Sequence, residues 1–449
     1  MSSSSAAGIS GGESEGLGAG GAFRWGICAL LFFATTINYV DRQVLGLLEP
    51  TLQHKLGWTD LQYGYIVSAF QAAYAIGAVG MGWFIDRLGV RIGYAISIAI
   101  WSLSAMGHAL ARTATEFGIA RFMLGIGEAG NFPAAIKAVA EWFPNKERAL
   151  ATGIFNSGTN VGATIGPLVV LAVAARLGWQ YGFLLTGLFS AIWVVCWLAI
   201  YRPPRLKKRL SAAELAHIES DPPTANVKVS WLQLLPHRQT WAFVIGKFLT
   251  DPIWWFFLFW LPPFLTSKFH LPPLSVSKLG LPVVVIYNAA TVGSILGGWL
   301  PARFMKMGWP RHRARQAAML ICALAVVPIL ATAGVHSLWG AVGLISLATA
   351  AHQGWSANLF TLASDMFPKP AVASVVGFGQ FFGAVGGALI ALFVGFLLHT
   401  THSYAPVFTL AASAYLLALL VIYLLAPTLR PAQLAVKGSD RAHPEAAGI

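Results

Sequence analysis

Apolar stretches of about 20 residues recur along the whole chain, and they constrain its fold more than any other feature. Each is long enough to cross the hydrocarbon core of a bilayer as one helix. The runs are unbroken, without the apolar-polar alternation of a half-buried strand. Of the 449 residues, 56% are hydrophobic and 10% are charged, whereas a soluble domain averages about 25% charged residues. We therefore predict an all-α integral membrane protein with twelve spans, at residues 25–48, 62–85, 92–111, 117–140, 149–173, 180–201, 240–265, 279–302, 315–334, 338–361, 371–398 and 406–426.

The basic residues lie mostly on one side of this twelve-span arrangement. Of the 30 Lys and Arg residues, 21 fall on the side of the two termini and five on the opposite side. By the positive-inside rule, both termini and the long central loop are predicted to be cytoplasmic. The net charge of +13 is explained by this topology, so we predict no nucleic-acid partner.

The central loop divides the chain into two sets of six spans. Within it, Ser211-Ala-Ala-Glu214 has the pattern of a capping box, which predicts a short amphipathic helix along the membrane face. The predicted units are a disordered N-terminal tail (1–22), an N-terminal six-helix bundle (23–201), a cytoplasmic linker (202–238), a C-terminal six-helix bundle (239–428) and a cytoplasmic tail (429–449).

The two halves show weak internal similarity. When Phe143-Pro144 is placed on Phe367-Pro368, Asn156 aligns with Gln380, and one span earlier Glu128 aligns with His352. Parallel repeats of this kind place the substrate site between the halves, near the middle of the membrane.

Four ionisable residues lie inside predicted spans: Asp41 and Arg42 in the first, and Arg121 and Glu128 in the fourth. An ionisable group in hydrocarbon is costly, so such groups usually face a bundle interior or a wet cavity and mark an ion or substrate path. Adjacent residues point about 100° apart on a helix. We therefore expect Asp41 to turn toward Arg121 and Arg42 to face the cavity, where a guanidinium suits a carboxylate. The alternative interpretation is that these charges form structural ion pairs.

The loop after the second span contains a candidate conformational latch, in which an acid pairs with a cation and two glycines permit close approach and a tight turn. An ordinary basic loop is the alternative. The latch residues are Gly82, Asp86, Arg87, Gly89 and Arg91.

Other polar and aromatic residues in the spans are candidates to line the cavity. Amides, hydroxyls and flat rings suit a polyhydroxylated substrate. The alternatives are a packed aromatic ring for Tyr74 and a packed, hydrogen-bonded imidazole for His352. For Trp254 and Trp255 the alternative is an interfacial belt, and Ser and Thr hydroxyls in helices often bond their own backbone. Lys137 and Lys247 are expected to extend toward an interface. The candidates are Tyr74, Asn156, His352, Trp355, Asn358 and Gln380, with Trp254 and Trp255 in the same region.

Two further patterns argue against a cofactor. Gly125-x-Gly127-x-x-Gly130 matches a dinucleotide fingerprint, but it lies within an apolar span rather than after a strand, and helix packing explains it better. The three cysteines are isolated and have no metal-ligand spacing. We predict neither a metal nor a cofactor.

From residue 22 to residue 428, the chain resembles the anion:cation symporters of the major facilitator superfamily. The resemblance rests on the Gly82–Arg91 loop, the Asn38–Arg42 and Arg121–Glu128 segments, and the runs Lys137–Ala149 and His352–Phe367. It is closest to bacterial carriers of hexuronates and related sugar acids. It implies proton-coupled uptake of an organic anion by alternating access, in the cytoplasmic (inner) membrane and as a monomer.

The resemblance also implies roles for individual residues. Arg42 is expected to hold the substrate carboxylate, Asp41 and Glu128 to exchange protons, and Arg121 to couple them. The six cavity candidates are expected near the substrate. Three transport alternatives stay open: a dicarboxylate or aromatic-acid carrier, sodium coupling, and anion exchange. A second cation facing the C-terminal cavity would favour a dicarboxylate, and the sequence offers no clear candidate. An enzyme is not expected, because no nucleophile–base pair or metal cluster is evident.

Overall fold

The structure is a computed structural model that describes residues 23–207, 210–220, 231–367 and 369–432. The tail predicted at 1–22, most of the tail predicted at 429–449, and linker residues 208–209 and 221–230 lie outside the described residues. The helices of the described part are α1 (Phe23–Leu56), α2 (Asp60–His108), α3 (Ala114–Glu128), α4 (Asn131–Trp142), α5 (Asn145–Leu177), α6 (Trp179–Ile200), α7 (Ala212–Ile218), α8 (Trp231–Leu234), α9 (Arg238–Phe269), α10 (Leu281–Lys306), α11 (Arg311–Val326), α12 (Leu338–Met366), α13 (Lys369–Thr401) and α14 (Ala405–Leu425).

The predicted spans correspond to these helices, although the segmentation differs. In the described ranges, nine helices are long and apolar enough to cross a membrane. Helix α2 contains both the second and third predicted spans, α3 and α4 together form the fourth, and α12 forms the tenth. The fold is thus two bundles of six spans, with α7 and α8 between them.

Gly89 explains why two spans lie in one assigned helix. Its φ of 77° and ψ of 158° break the helical path inside α2, and only glycine adopts this region without strain. The sharp turn predicted at Gly89 is therefore confirmed. The capping box at Thr59 and Gln62 begins α2 at its other end.

The fourth span breaks after Glu128, where α3 ends, and resumes as α4 at Asn131. The glycines around the break let α3 approach α2 closely: a Cβ on Gly127 would lie 2.7 Å from the Trp101 backbone nitrogen, and one on Gly130 would lie 2.8 Å from the Met81 side chain. Helix packing therefore accounts for the glycine pattern.

The linker helix α7 docks on the N-terminal half. Ser211 caps it by accepting from the Glu214 backbone N–H at 3.1 Å. The second half of the predicted capping box does not form, because the Glu214 carboxylate accepts from the Arg24 backbone N–H at 3.0 Å instead. Glu147 joins the same network through Arg24 (2.9 Å) and His217 (2.9 Å). Partial burial raises the pKa of Glu147, but these two hydrogen bonds outweigh it and lower the pKa below its ordinary value.

The two bundles meet at one end of the molecule. We call the end where α1 begins and α14 ends the terminal face, and the opposite end the far face. Near the far face, Tyr63 of α2 donates to the Phe259 carbonyl of α9 at 2.6 Å. There α2 and α13 also pack backbone against backbone, since a Cβ on Gly64 would lie 3.0 Å from the Gly395 Cα. These contacts close the far face between the halves. At the terminal face, α4 packs on α1, α2 and α5 of its own half.

Candidate functional site

A buried ion pair between α1 and α3 forms the centre of the candidate site. Arg42 Nε lies 2.6 Å from Glu128 Oε2, and the two side chains are 2% and 0% exposed. The break after α3 places Glu128 at a helix end beside α1. Charge-assisted hydrogen bonds of this length are strong. The sequence analysis placed both residues at the site. Its alternative interpretation was an ion pair between the fourth span and the first, but it did not name Arg42 and Glu128 as the partners.

Aromatic rings surround the Arg42 guanidinium. Its Cζ atom lies 5.1 Å from the ring centroid of Tyr39, 4.8 Å from Tyr74, 5.7 Å from Phe70 and 5.5 Å from Trp255. Rings at such distances stabilise a cation, by about 2 kcal/mol or more when the site is desolvated. Trp255 belongs to α9, so the C-terminal half contributes directly to the site. Its alternative interpretation as an interfacial belt residue is therefore wrong.

Asp41 and Arg121 do not pair as predicted. The Asp41 carboxylate accepts from Ser190 Oγ of α6 at 3.4 Å, and Ser190 in turn accepts from the Trp101 indole at 2.9 Å. Arg121 donates from Nη2 to the Arg42 carbonyl at 3.5 Å. The two side chains do point in different directions, as the 100° separation of adjacent helical residues predicts. That separation does not determine which neighbouring helix each side chain contacts. Asp41 turns toward α6, and Arg42 takes the acid of the fourth span.

Several buried polar atoms around Arg42 have no protein partner. Among the described residues they include both amide atoms of Asn38 and Gln71, Nε and Nη1 of Arg121, Nη2 of Arg42 and Oε1 of Glu128. Buried polar groups normally have at least one partner, so a cluster of exceptions calls for an explanation. Unpartnered donors and acceptors on neighbouring helices fit a site that receives a polar ligand.

The C-terminal half presents rings and one imidazole. His352 Nδ1 lies 2.6 Å from the Tyr415 hydroxyl, and its ring stacks on Trp254 with centroids 5.1 Å apart. Trp355 is buried and packs edge-on against Tyr415. This pattern matches the packed, hydrogen-bonded alternative for His352, and it excludes Trp254 from an interfacial belt.

Asn358 connects two helices. Its Nδ2 donates to the Gly297 carbonyl of α10 at 2.7 Å and to the Gly354 carbonyl of α12 at 2.9 Å. Both amide hydrogens are thereby used within the protein. Only Oδ1, which is buried without a partner, remains to meet a ligand.

Asn156 and Gln380 are exposed although they lie about six residues inside the candidate spans Leu150–Leu177 and Ser374–Thr401. Six residues of helix span about 9 Å, roughly a third of a bilayer core. Polar side chains at that depth face a bundle interior or an aqueous cavity rather than lipid. Their exposure, together with the closed far face, indicates a cavity that opens toward the terminal face.

A second buried ion pair lies in α9, where Lys247 Nζ is 2.7 Å from Asp251 Oδ2. The expectation that Lys247 extends to an interface is therefore wrong. Sequence reasoning also missed Glu49, a buried acid in α1, because the predicted span ended at residue 48. The signal was present in both cases, as a charged residue inside or beside an otherwise apolar run.

The latch residues form contacts within the N-terminal half. Asp86 pairs with Lys137 of α4 at 2.8 Å, and Arg91 donates to the Leu198 carbonyl of α6 at 2.7 Å. Arg87 lies over the Trp83 ring, in the loop's own segment. A Cβ on Gly82 would meet no atom within 4 Å. The close helix approach predicted at Gly82 is therefore absent in this conformation.

Comparison with known proteins identifies the family. The model of the Major Facilitator Superfamily matches residues 31–391. The hexuronate transporter of Escherichia coli (strain K12) is 33% identical over 410 residues, which cover 89% of this chain and 93% of that protein. The galacturonate transporter of Dickeya chrysanthemi is 36% identical over 289 residues, which cover 63% of this chain and 83% of that protein.

A solved structure shares the same fold. It is a bacterial homologue of the human lysosomal transporter Spinster, in an inward-facing and occupied conformation, with a TM-score of 0.74. At 18% identity, the match covers 91% of this chain and 98% of that one. The family model spans most of the chain, and the helices form the two six-span bundles that this fold requires. The chain therefore belongs to the Major Facilitator Superfamily.

Proposed function

We propose that this protein is a proton-coupled importer of a sugar acid, most simply a hexuronate such as glucuronate or galacturonate. It acts as a monomeric carrier in the cytoplasmic (inner) membrane of a bacterium, with both termini in the cytoplasm. The domain boundaries predicted from the sequence, 23–201 and 239–428 with a linker at 202–238, are retained as part of this proposal.

One observation carries the proposal: Arg42, a buried cation in a membrane-spanning helix, lies between the two halves and is paired with an acid that can release it. Its aromatic surroundings and its pairing with Glu128 at 2.6 Å hold the guanidinium in place. A carboxylate can replace Glu128 as the partner of Arg42, because a guanidinium offers two parallel donors to such a group.

The same ion pair supplies a route for coupling. A proton on the Glu128 carboxylate removes its negative charge and weakens its hold on Arg42. The substrate carboxylate then takes the place of Glu128, and the charge of Arg42 stays compensated. When Glu128 loses its proton, it competes again for Arg42 and favours substrate release. Asp41 directly precedes Arg42 in α1 and serves as a second proton site. Arg121 donates to the Arg42 carbonyl and so couples the two proton sites, Asp41 and Glu128.

Alternating access then follows from the two-bundle architecture. In the structure, the halves are joined at the far face, partly through the Tyr63–Phe259 hydrogen bond. With the termini in the cytoplasm, as the distribution of basic residues favours, this conformation is inward-facing. Trp255 belongs to the opposite bundle from Arg42. A substrate bound between them therefore contacts both halves, and its binding can bias their rocking.

The substrate class is supported by the chemistry of the walls and by the relatives. Tyr74 and Trp255 present flat faces, and Asn156 and Gln380 present amides to the cavity. Such groups suit the rings and hydroxyls of a sugar acid. Two of the relatives are named for hexuronate and galacturonate transport.

The test is uptake of labelled glucuronate and galacturonate into proteoliposomes, with and without an inward proton gradient. Wild-type protein is expected to accumulate at least one of them only when the gradient is present. Glu128→Gln is expected to lose gradient-driven accumulation while it keeps exchange of substrate across the membrane. No uptake of either sugar acid by folded wild-type protein would overturn the proposal. Accumulation that follows a sodium gradient after the proton gradient is collapsed would replace protons with sodium.

A further inference from the structure

The ion pair in α9 is buried among apolar groups. Lys247 and Asp251 are one helical turn apart, and their side chains are 4% and 14% exposed. The ammonium of Lys247 also lies 4.4 Å from the ring centroid of Phe360 in α12. Removing two charges from water costs several kcal/mol per ion, and a buried pair is weak evidence for a gain in stability. Stability alone therefore does not account for the pair.

Helix α13 is shaped around this pair. A Cβ on Gly383 would come within 3.1 Å of the Asp251 Cγ atom, and a Cβ on Gly379 would come within 3.2 Å of the Lys247 Cγ atom. Both distances are tighter than ordinary van der Waals contact. Glycine at these two positions gives the charged side chains the room they occupy, so the pair is an integral part of the C-terminal bundle.

The pair also lies beside the Arg42 site. Trp255 follows Asp251 by four residues, which places it on the same helix face about 6 Å farther along the axis. The Trp255 ring is 5.5 Å from the Arg42 Cζ atom. The Lys247–Asp251 pair therefore lies one helical turn beyond a residue that contacts Arg42. One turn of about 5.4 Å is comparable to the length of a six-carbon chain, whose C–C bonds are each about 1.5 Å.

We propose that Lys247 and Asp251 form a second subsite of the pocket, which receives the end of the substrate remote from Arg42 and selects a hydroxyl-bearing end over a second carboxylate. This proposal rests on the proposed transport of sugar acids. The Asp251 carboxylate accepts hydrogen bonds from sugar hydroxyls. The same carboxylate compensates the charge of Lys247 and repels a second anionic group. Lys247, which the sequence analysis assigned to an interface, is thus a second buried cation, and Asp251 keeps it from acting as an anion site.

The decisive variant is Asp251→Asn, which removes the negative charge with little change in shape and leaves Lys247 as an uncompensated cation. The charge removed from Asp251 would otherwise repel the second carboxylate of a dicarboxylate. At a separation of about 8 Å and an effective dielectric constant of about 20, this repulsion is strong enough to change a binding constant roughly 30-fold. We expect the affinity for galactarate, the six-carbon dicarboxylate, to rise by about tenfold or more relative to that for galacturonate.

The experiment measures the dissociation constants of galacturonate and galactarate by titration calorimetry on purified full-length protein at pH 7. Wild type is expected to bind galacturonate and to discriminate against galactarate, and Asp251→Asn is expected to reverse or strongly reduce that discrimination. Asp365→Asn is the matched control, because Asp365 pairs with Arg315 and not with the Lys247–Asp251 pair. Its discrimination is expected to equal that of wild type.

A second variant covers the case in which Asp251→Asn does not fold. Lys247→Gln/Asp251→Asn removes both charges and leaves no buried ion unpaired. It is expected to bind galacturonate more weakly than wild type, because the hydroxyl-accepting carboxylate of Asp251 is lost. It is also expected to discriminate less against galactarate, because the repulsion by Asp251 is gone. Unchanged discrimination in either folded variant would overturn the subsite while leaving the proposed function intact. A wild-type protein that binds no sugar acid would overturn the proposed function, and the subsite with it.

Discussion

Arg42→Lys tests whether the guanidinium, rather than positive charge alone, anchors the substrate. Lysine keeps the charge, but it replaces a planar fork with a single ammonium, and it cannot give a carboxylate two parallel hydrogen bonds. The aromatic groups that approach the Arg42 Cζ atom at 4.8 to 5.7 Å are also positioned for a flat cation. The substitution therefore keeps the positive charge but removes the planar arrangement of hydrogen-bond donors.

The expected loss follows from these contacts. A hydrogen bond to a charged group contributes about 1.5 to 3 kcal/mol. Losing one of two such bonds to the substrate carboxylate weakens binding by roughly 10-fold to 150-fold. The assay is the dissociation constant of galacturonate, measured by titration calorimetry on purified protein. Thermal unfolding of the same samples checks that the variant is folded.

The control is Arg176→Lys, since Arg176 is exposed at the end of α5 that leads to α6. It is expected to bind galacturonate as wild type does. A folded Arg42→Lys protein that binds within twofold of wild type would refute the reasoning, because the fork geometry would then contribute nothing to recognition.

Three further predictions concern the scaffold and the conformational equilibrium. Gly89→Ala is expected to lower the free energy of unfolding by about 1 to 3 kcal/mol, because its φ of 77° is strained for other residues; Gly82→Ala should not lower the melting temperature, and equal losses in both would contradict this account. Tyr63→Phe removes the hydrogen bond to the Phe259 carbonyl and is expected to shift the population toward an open far face by about fivefold, measured by spin-label distances across that face; an unchanged distribution would count against this bond as a gate. The pKa of Glu147 is lowered on balance because its hydrogen bonds outweigh burial, so its contribution to linker docking is complete above the ordinary pKa of about 4.3 and is lost as the pH falls through the lower native value. Proteolysis of the linker between pH 7 and pH 3 measures this, and cleavage that does not increase on acidification would argue against it.

The fold class could be predicted from the sequence because a membrane-spanning helix is recognised mainly by the length of its apolar run. Runs of about 20 apolar residues, such as 180–201 and 406–426, correspond closely to α6 and α14. The segmentation was less predictable, since it depends on backbone angles at single positions. The turn at Gly89 was expected, but the break after Glu128 was not. Gly130, Asn131 and Pro133 mark it in the sequence, but they were assigned to one continuous span at 117–140.

The site could be predicted as a set of residues but not as a set of contacts. Asp41, Arg42, Arg121 and Glu128 stand out because charge is rare in a membrane span. Which acid meets which cation depends on helix rotation, and helical periodicity alone could not choose between Arg121 and Ser190 as the neighbour of Asp41. Lys247 was misjudged for the same reason, because its partner is only one turn away but its surroundings come from α12 and α13.

The most direct test of the account is proton movement caused by substrate. A pH-sensitive dye is enclosed in proteoliposomes, and galacturonate is added outside with no gradient imposed. Wild-type protein is expected to acidify the interior as it imports the sugar acid, and Glu128→Gln is expected to admit substrate by equilibration without acidification. Uptake of galacturonate by wild type with no change in internal pH, or equal acidification by Glu128→Gln, would contradict the claim that the Arg42–Glu128 pair couples protons to transport.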